Sequence, residues 1–362
     1  MKTIPLFWPT YDGKKIKKAM EKLFPADMSN RWLGQGAVVD EFENRFGGKY
    51  NYKYCVSLNS GSSALELAYH LIGIGKGDEV IVPVLTCTAT NIPLIRMGAK
   101  IVFADVDNNL MMDWQDVRDR ITKKTKAIVA VTLGGMPIDE ELFKIAKQHK
   151  IPVVVDAAQS LGVSENYGDY ICYSFQAIKH FTTGDGGMLV LRNDKDYKRA
   201  KRLRWFGIDR EAKIKNNWQP YKNREMTMDI QEPGFKFHMN DISATLGLLA
   251  LEDADEWLEQ RRQLGEYYQM NISGRVFGGG SWWLCGIMVN DRDTFARLLS
   301  EAGIETNMAH LRNDIFKVFG GTRQDLPQMN YYEDKYIYIP LNLKMTKKDA
   351  EHIVKTINAL DI

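Results

Sequence analysis

Apolar and polar positions follow two rhythms along this chain. Short, nearly continuous apolar runs occur at Glu79 to Pro83, Lys100 to Val106, Ala127 to Thr132, Pro152 to Val155, Tyr170 to Phe175 and Met188 to Leu191. Each is bounded by turn residues, as buried strands are. Between several of them lie stretches with helical spacing, at Asn91 to Met97, Met112 to Ile121 and Ile138 to His149. Alternation of this kind predicts an α/β fold with a mostly parallel, doubly wound sheet covered on both faces. Gly234 to Asp241 then opens a long helix through Ala244, Leu248 and Leu251. From about Trp282 the pattern changes to a small α+β unit, with strands at Trp282 to Val289 and Tyr336 to Leu341 and helices at Asp291 to Ala302 and Lys347 to Leu360. The predicted division is a large domain over 1–238, then the connecting helix and a small C-terminal domain over 239–362. Glu211 to Pro233 is charged and lacks apolar periodicity, so a long loop is predicted there.

Composition narrows the class without identifying it. A length of 362 residues suits a large domain plus a smaller one. Apolar content of 44% and charged content of 26% are ordinary for a globular enzyme. A net charge of +2 leaves no nucleic-acid footprint, which requires basic residues gathered on one face. The densest basic run, Lys14 to Lys18, is interleaved with Ile16, Met20 and Leu23 and reads as a solvated helix face. Four scattered cysteines form no CxxC pair, as expected in a reducing compartment. The six histidines show no metal-ligand spacing. Neither a signal-peptide apolar core nor a bilayer-length run is visible, so a cytoplasmic enzyme is expected.

Chemistry concentrates between Ile151 and Val190. An acid, Asp156, ends one strand, and a lysine, Lys179, follows the next before the turn Gly184-Asp185-Gly186-Gly187. Open α/β sheets place their functional groups at the carboxyl ends of strands. Taken singly, such an acid is usually a helix cap, such a lysine is usually solvated, and such a turn is only a turn. Upstream, Ser57-Leu58-Asn59-Ser60-Gly61-Ser62-Ser63 carries a strand end into a helix with apolar Leu65, Ala68 and Ile72. The free N–H groups of such a start suit an anion, above all phosphate, although a plain serine cap accounts for the residues equally well. No P-loop or GxGxxG spacing is present, so the alternation carries no dinucleotide signature.

The combination resembles the DegT/DnrJ/EryC1/StrS family of sugar aminotransferases. The matching segments are Asp156-Ala157-Ala158-Gln159, Ser174-Phe175-Gln176-Ala177-Ile178-Lys179 and Thr182-Thr183-Gly184-Asp185-Gly186-Gly187. The resemblance implies the fold type I architecture and pyridoxal 5'-phosphate as cofactor, cycling through pyridoxamine 5'-phosphate. It implies that Lys179 bonds the cofactor as a Schiff base and moves the proton, and that Asp156 faces the pyridine nitrogen. It places Gln159 at the ring edge, with Gly61, Ser62, Ser63 and Ser174 at the phosphate. Lys236, in Gly234-Phe235-Lys236-Phe237-His238-Met239, corresponds to a residue that reaches the neighbouring subunit's site. A symmetric homodimer with shared active sites is therefore expected, acting on L-glutamate and a nucleotide-linked keto-sugar.

Two departures qualify the match. The loop after Pro83 usually carries an aromatic that stacks on the cofactor, and here that position holds Cys87. Lys236 and His238 stand where asparagine and arginine are commoner. Rival readings are a keto-sugar dehydratase of the same family, in which histidine replaces the lysine, and a non-catalytic regulatory homologue. The lysine is present, and His180 merely follows it. No basic DNA-reading face supports the regulatory reading. An amino-acid aminotransferase would need an arginine for a second carboxylate, and none stands out.

Overall fold

A computed structural model describes residues 3–24, 33–163, 168–210 and 230–360. Its main sheet contains β1 (Tyr54–Leu58), β2 (Glu79–Pro83), β3 (Lys100–Ala104), β4 (Thr125–Val131), β5 (Val153–Asp156), β6 (Tyr170–Ser174) and β7 (Gly187–Leu191). The order across it is β1-β7-β6-β5-β4-β2-β3. Pairing is parallel from β6 to β3, while β7 runs against both its neighbours. Successive residues of a strand face opposite sides. Val80, Val82 and Val154 accordingly join one core layer, and Ile81, Val153 and Val155 join the other. Burying each such side chain contributes roughly 1.5–3 kcal/mol. Burial on both faces explains why these strands read as continuous apolar runs rather than alternating ones.

The 31-residue helix Asp241–Asn271 connects this sheet to the rest of the molecule. Asn240 caps it by accepting the Ser243 N–H at 2.9 Å. It lies against the helix Ala37–Tyr50 at Gly247, where an added Cβ would come within 2.6 Å of the Phe42 ring. Its far end meets a three-stranded antiparallel sheet in the order β10-β9-β8, made of β8 (Val276–Phe277), β9 (Cys285–Met288) and β10 (Tyr336–Ile339). There the Tyr268 hydroxyl donates to the Pro340 carbonyl at 3.0 Å. No helix among the described residues is long and apolar enough to cross a membrane.

Several element ends fall short of the sequence reading for identifiable reasons. The strand expected to Val106 stops at Ala104, because the Asp105 carboxylate accepts the N–H groups of Val106, Gln328 and Met329. The strand expected from Trp282 begins at Cys285. Trp282 has a left-handed φ of 50°, and the residues around it are bonded elsewhere: Ser281 N–H to Gly135 O and Leu284 N–H to Gly134 O. Most of the loop expected over Glu211 to Pro233 lies outside the described residues.

Candidate active site

Asp156 ends β5 and is 4% exposed. Its Oδ2 accepts the Thr90 hydroxyl at 2.7 Å, and its Oδ1 accepts the Ala158 N–H at 3.1 Å. Burial pushes its carboxyl above the usual range, against the pull of those two bonds and of Lys179. The adjacent strand β6 ends at Ser174, and the chain then loops out and returns as β7. Phe175 N–H bonds Gly186 O at 2.8 Å and Thr183 N–H bonds Phe175 O at 3.0 Å, closing the neck of that loop. Inside it, Lys179 N–H bonds Gln176 O at 2.9 Å. The antiparallel return of β7 is thus what pins the lysine beside the end of β5.

Lys179 is half-buried as a residue, but its ammonium end is enclosed. Nζ lies 3.9 Å from the Trp283 ring centroid. Burial lowers its pKa to about 8, opposed by Asp156 and Cys87. An unprotonated amine is the form that attacks an aldehyde, and desolvation favours it. In cofactor-free protein, acylation of Lys179 is therefore expected to rise with pH around a midpoint near 8, well below the about 10.4 of a free lysine. A midpoint near 10, read by mass spectrometry of the labelled peptide, would contradict this burial.

β1 leads into the helix Gly61–Ile72 through Asn59 and Ser60. Ser60 is the cap, accepting the Ser63 N–H at 3.0 Å, and the Ser63 hydroxyl is turned to Asn59 Oδ1 at 2.7 Å. Ser62 is exposed. Among the described residues, its hydroxyl and the N–H groups of Gly61 and Ser62 have no partner. That set of free donors at a helix start fits a phosphate. Ser174 stands directly behind Gly61, where an added Cβ would come within 2.8 Å of its own Cβ. Gly187 packs on the Ser60 carbonyl and leaves no room for a methyl group. Gly187→Ala is expected to push the Ser60–Gly61 turn outward and weaken cofactor retention at least tenfold, measured by dialysis and absorbance; unchanged retention would mean this turn does not hold the phosphate.

Gln159 is 2% exposed. Its Oε1 accepts the Gly134 N–H at 2.8 Å, and its Nε2 lies 2.9 Å from His310 Nε2. Cys87 is exposed and occupies the cap position of the helix Thr88–Arg96 without a side-chain bond. Lys236 is exposed, with Nζ 3.7 Å from the Trp205 ring centroid, while its carbonyl accepts from Asn59 Nδ2 at 3.3 Å. The structure therefore gathers Lys179, Asp156 and Gln159 at neighbouring strand ends and sets Gly61, Ser62, Ser63 and Ser174 together at one turn. The Lys236 segment lies along that turn, with its ammonium on Trp205. A separate cleft of about 870 Å³, lined by Asp107, Trp114, Met136 and Gln328 among others, includes none of these residues.

Sequence reasoning assigned no role to four further residues at the site. Trp283 covers the lysine amine, and its indole N–H donates to Ile178 O at 3.0 Å. His310 stacks on Trp283 with ring centroids 6.4 Å apart. Asn313 is fully buried and accepts from Asn91 Nδ2 at 2.9 Å while donating to Thr86 O at 2.7 Å. It clamps the loop that presents Thr90 to Asp156. The adjacent Arg312 is held by Asp314 and Glu333, which fixes the segment. The polar residues His310, Arg312, Asn313 and Asp314 are close in sequence, but only folding shows what they grip.

Comparisons with known proteins identify the family. Residues 14–358 match the model of the DegT/DnrJ/EryC1/StrS aminotransferase family. GDP-perosamine synthase of Escherichia coli O157:H7 is 33% identical over 76% of this chain and 73% of its own. The crystal structure of AtS13 from Actinomadura melliaura superposes with a TM-score of 0.90 at 31% identity, covering 99% of each chain. The putative sugar aminotransferase Spr1654 from Streptococcus pneumoniae is 25% identical in both its PLP and PMP forms, with a TM-score of 0.87. This chain is covered to 99% in each of those matches, and Spr1654 to 98% in the PLP form and 97% in the PMP form.

Proposed function

This chain belongs to the DegT/DnrJ/EryC1/StrS aminotransferase family, whose cofactor is pyridoxal 5'-phosphate, and we propose that it moves the amino group of L-glutamate to a nucleotide-linked keto-sugar. The acceptor in this reading is a 4-keto-6-deoxyhexose, and the product a 4-amino sugar for cell-surface glycans or related amino-sugar biosynthesis. One observation carries it: an enclosed lysine amine and a buried carboxylate stand at the ends of adjacent strands beside a helix start with free N–H donors. Similarity to a protein named GDP-perosamine synthase supports a nucleotide-linked sugar.

Pyridoxal phosphate, when bound, supplies an electron sink that stabilises charge on the carbon being deprotonated. The residues divide the remaining work. Gly61, Ser62 and Ser174 would hold the phosphate, with Ser63 bracing the turn and Lys236 serving the partner's site. Asp156, whose charged form Thr90 and Ala158 favour against its burial, would hold a proton on the ring nitrogen. Lys179 would attach the cofactor and afterwards carry the proton between carbons, a task its lowered pKa suits. Trp283 excludes water from that amine. Cys87 is too small to cover a ring alone. We assign the enzyme to the cytoplasm as a homodimer that shares its two sites.

A panel of dTDP-, UDP- and GDP-linked 4-keto sugars, incubated with glutamate and the loaded enzyme, tests this reading by mass spectrometry. The expected product is an amino sugar formed together with 2-oxoglutarate. A deoxygenated sugar would instead establish dehydration. Binding without any product would favour a regulatory role.

A further inference from the structure

Gln159 and His310 lie 151 residues apart in sequence, yet their side-chain nitrogens meet at 2.9 Å. The direction of that bond can be deduced. A backbone N–H only donates, so the amide atom facing Gly134 N at 2.8 Å must be the oxygen. The atom facing His310 is then the amide nitrogen, which also only donates. His310 Nε2 must therefore present a lone pair, and its proton must sit on Nδ1.

Other contacts hold the ring in place. The His310 carbonyl accepts the Tyr336 hydroxyl at 2.8 Å, its N–H bonds Met308 O, and its ring lies at 22° to Trp283. Burial, together with the nearby Lys179 ammonium, lowers its pKa to about 4, so the imidazole remains neutral near pH 7.

We propose that His310 is a positioning residue: by accepting one N–H of the Gln159 amide, it leaves the second N–H for an acceptor on the edge of the cofactor ring. This rests on the cofactor reading of the site given above. With its carbonyl fixed by Gly134 and one proton taken by His310, the amide has a single remaining donor. Without His310, that amide can rotate and the donor is shared. A donor beside the ring would withdraw charge from it and would thereby lower the pH at which the bound cofactor's visible absorbance changes.

The test compares loaded wild type, His310→Ala, His310→Gln, Gln159→Leu and the double variant His310→Ala/Gln159→Leu. The readout is the pH midpoint of the cofactor's visible absorbance. His310→Ala is expected to raise the midpoint by roughly one pH unit, the size of one lost hydrogen bond. Gln159→Leu should raise it similarly, and the double variant should add nothing further. His310→Gln, whose amide oxygen can accept in place of Nε2, should restore the wild-type midpoint.

An unmoved midpoint in His310→Ala, or additive shifts in the double variant, would overturn the proposal. Nitrogen-15 NMR of histidine-labelled, cofactor-free protein reads the bond independently of loading. A proton on Nδ1 is expected, and a proton on Nε2 would overturn the assignment even if the cofactor binds. Wild type with no visible band would sink the cofactor reading itself and the role given to the second N–H.

Discussion

Lys179→Ala is expected to lower amine transfer at least about 10⁴-fold, the upper range of what a positioned acid–base group contributes, and to end covalent attachment of the cofactor. Both effects come from one nitrogen. The enclosure by Trp283 that keeps the amine available for attack also removes water that could substitute for it as a proton carrier. The neighbouring His180 cannot take over. It is fully buried, its ring bonds Ser281 O at 3.1 Å, and burial holds its pKa well below the ordinary value. His310 is committed to Gln159. The fold should survive, because Lys179 makes no ion pair among the described residues and the loop neck is backbone-bonded. Stopped-flow measurement of both half-reactions checks the rate, and a variant within tenfold of wild type would remove Lys179 from the chemistry.

The second large effect is expected at Asp156. Asp156→Asn should retain the cofactor but lose roughly 10²–10³-fold in rate, as removal of one preorganised electrostatic partner does elsewhere. The substitution can be accommodated locally. The new amide oxygen can still accept the Ala158 N–H, and its nitrogen can donate to the Thr90 oxygen. Thr90 would then turn its own proton to the Thr86 hydroxyl, which lies 3.0 Å away. Stability is therefore expected to change little. What is lost is the negative charge that keeps a ring nitrogen protonated. Thermal melting together with single-turnover kinetics separates the two, and normal turnover would contradict the charge argument.

The alternating fold and the strand ends carrying Asp156 and Lys179 were legible in the sequence, because buried parallel strands leave unbroken apolar runs with chemistry just after them. The turn at Asn59 to Ser63 was legible as a helix start, but not the division of labour within it. Ser60, Ser62 and Ser63 stand within four residues, and only the backbone shows that Ser60 caps, Ser63 braces and Ser62 stays free. Trp283 could not be read as a site residue, and His310 and Asn313 could be given no role. They reach Lys179, Gln159 and the Thr86–Asn91 loop from more than a hundred residues away, and local pattern carries no such separation. The strand expected from Trp282 starts late for the same reason: its first residues, though strand-like in pattern, form a strap across Gly134 and Gly135.

Borohydride reduction of the loaded protein, followed by proteolysis and peptide mass mapping, tests the central claim most directly. A single pyridoxyl mark on the peptide containing Lys179 is the predicted result. A mark on a different lysine, or none on a protein that still transfers amines, would contradict it.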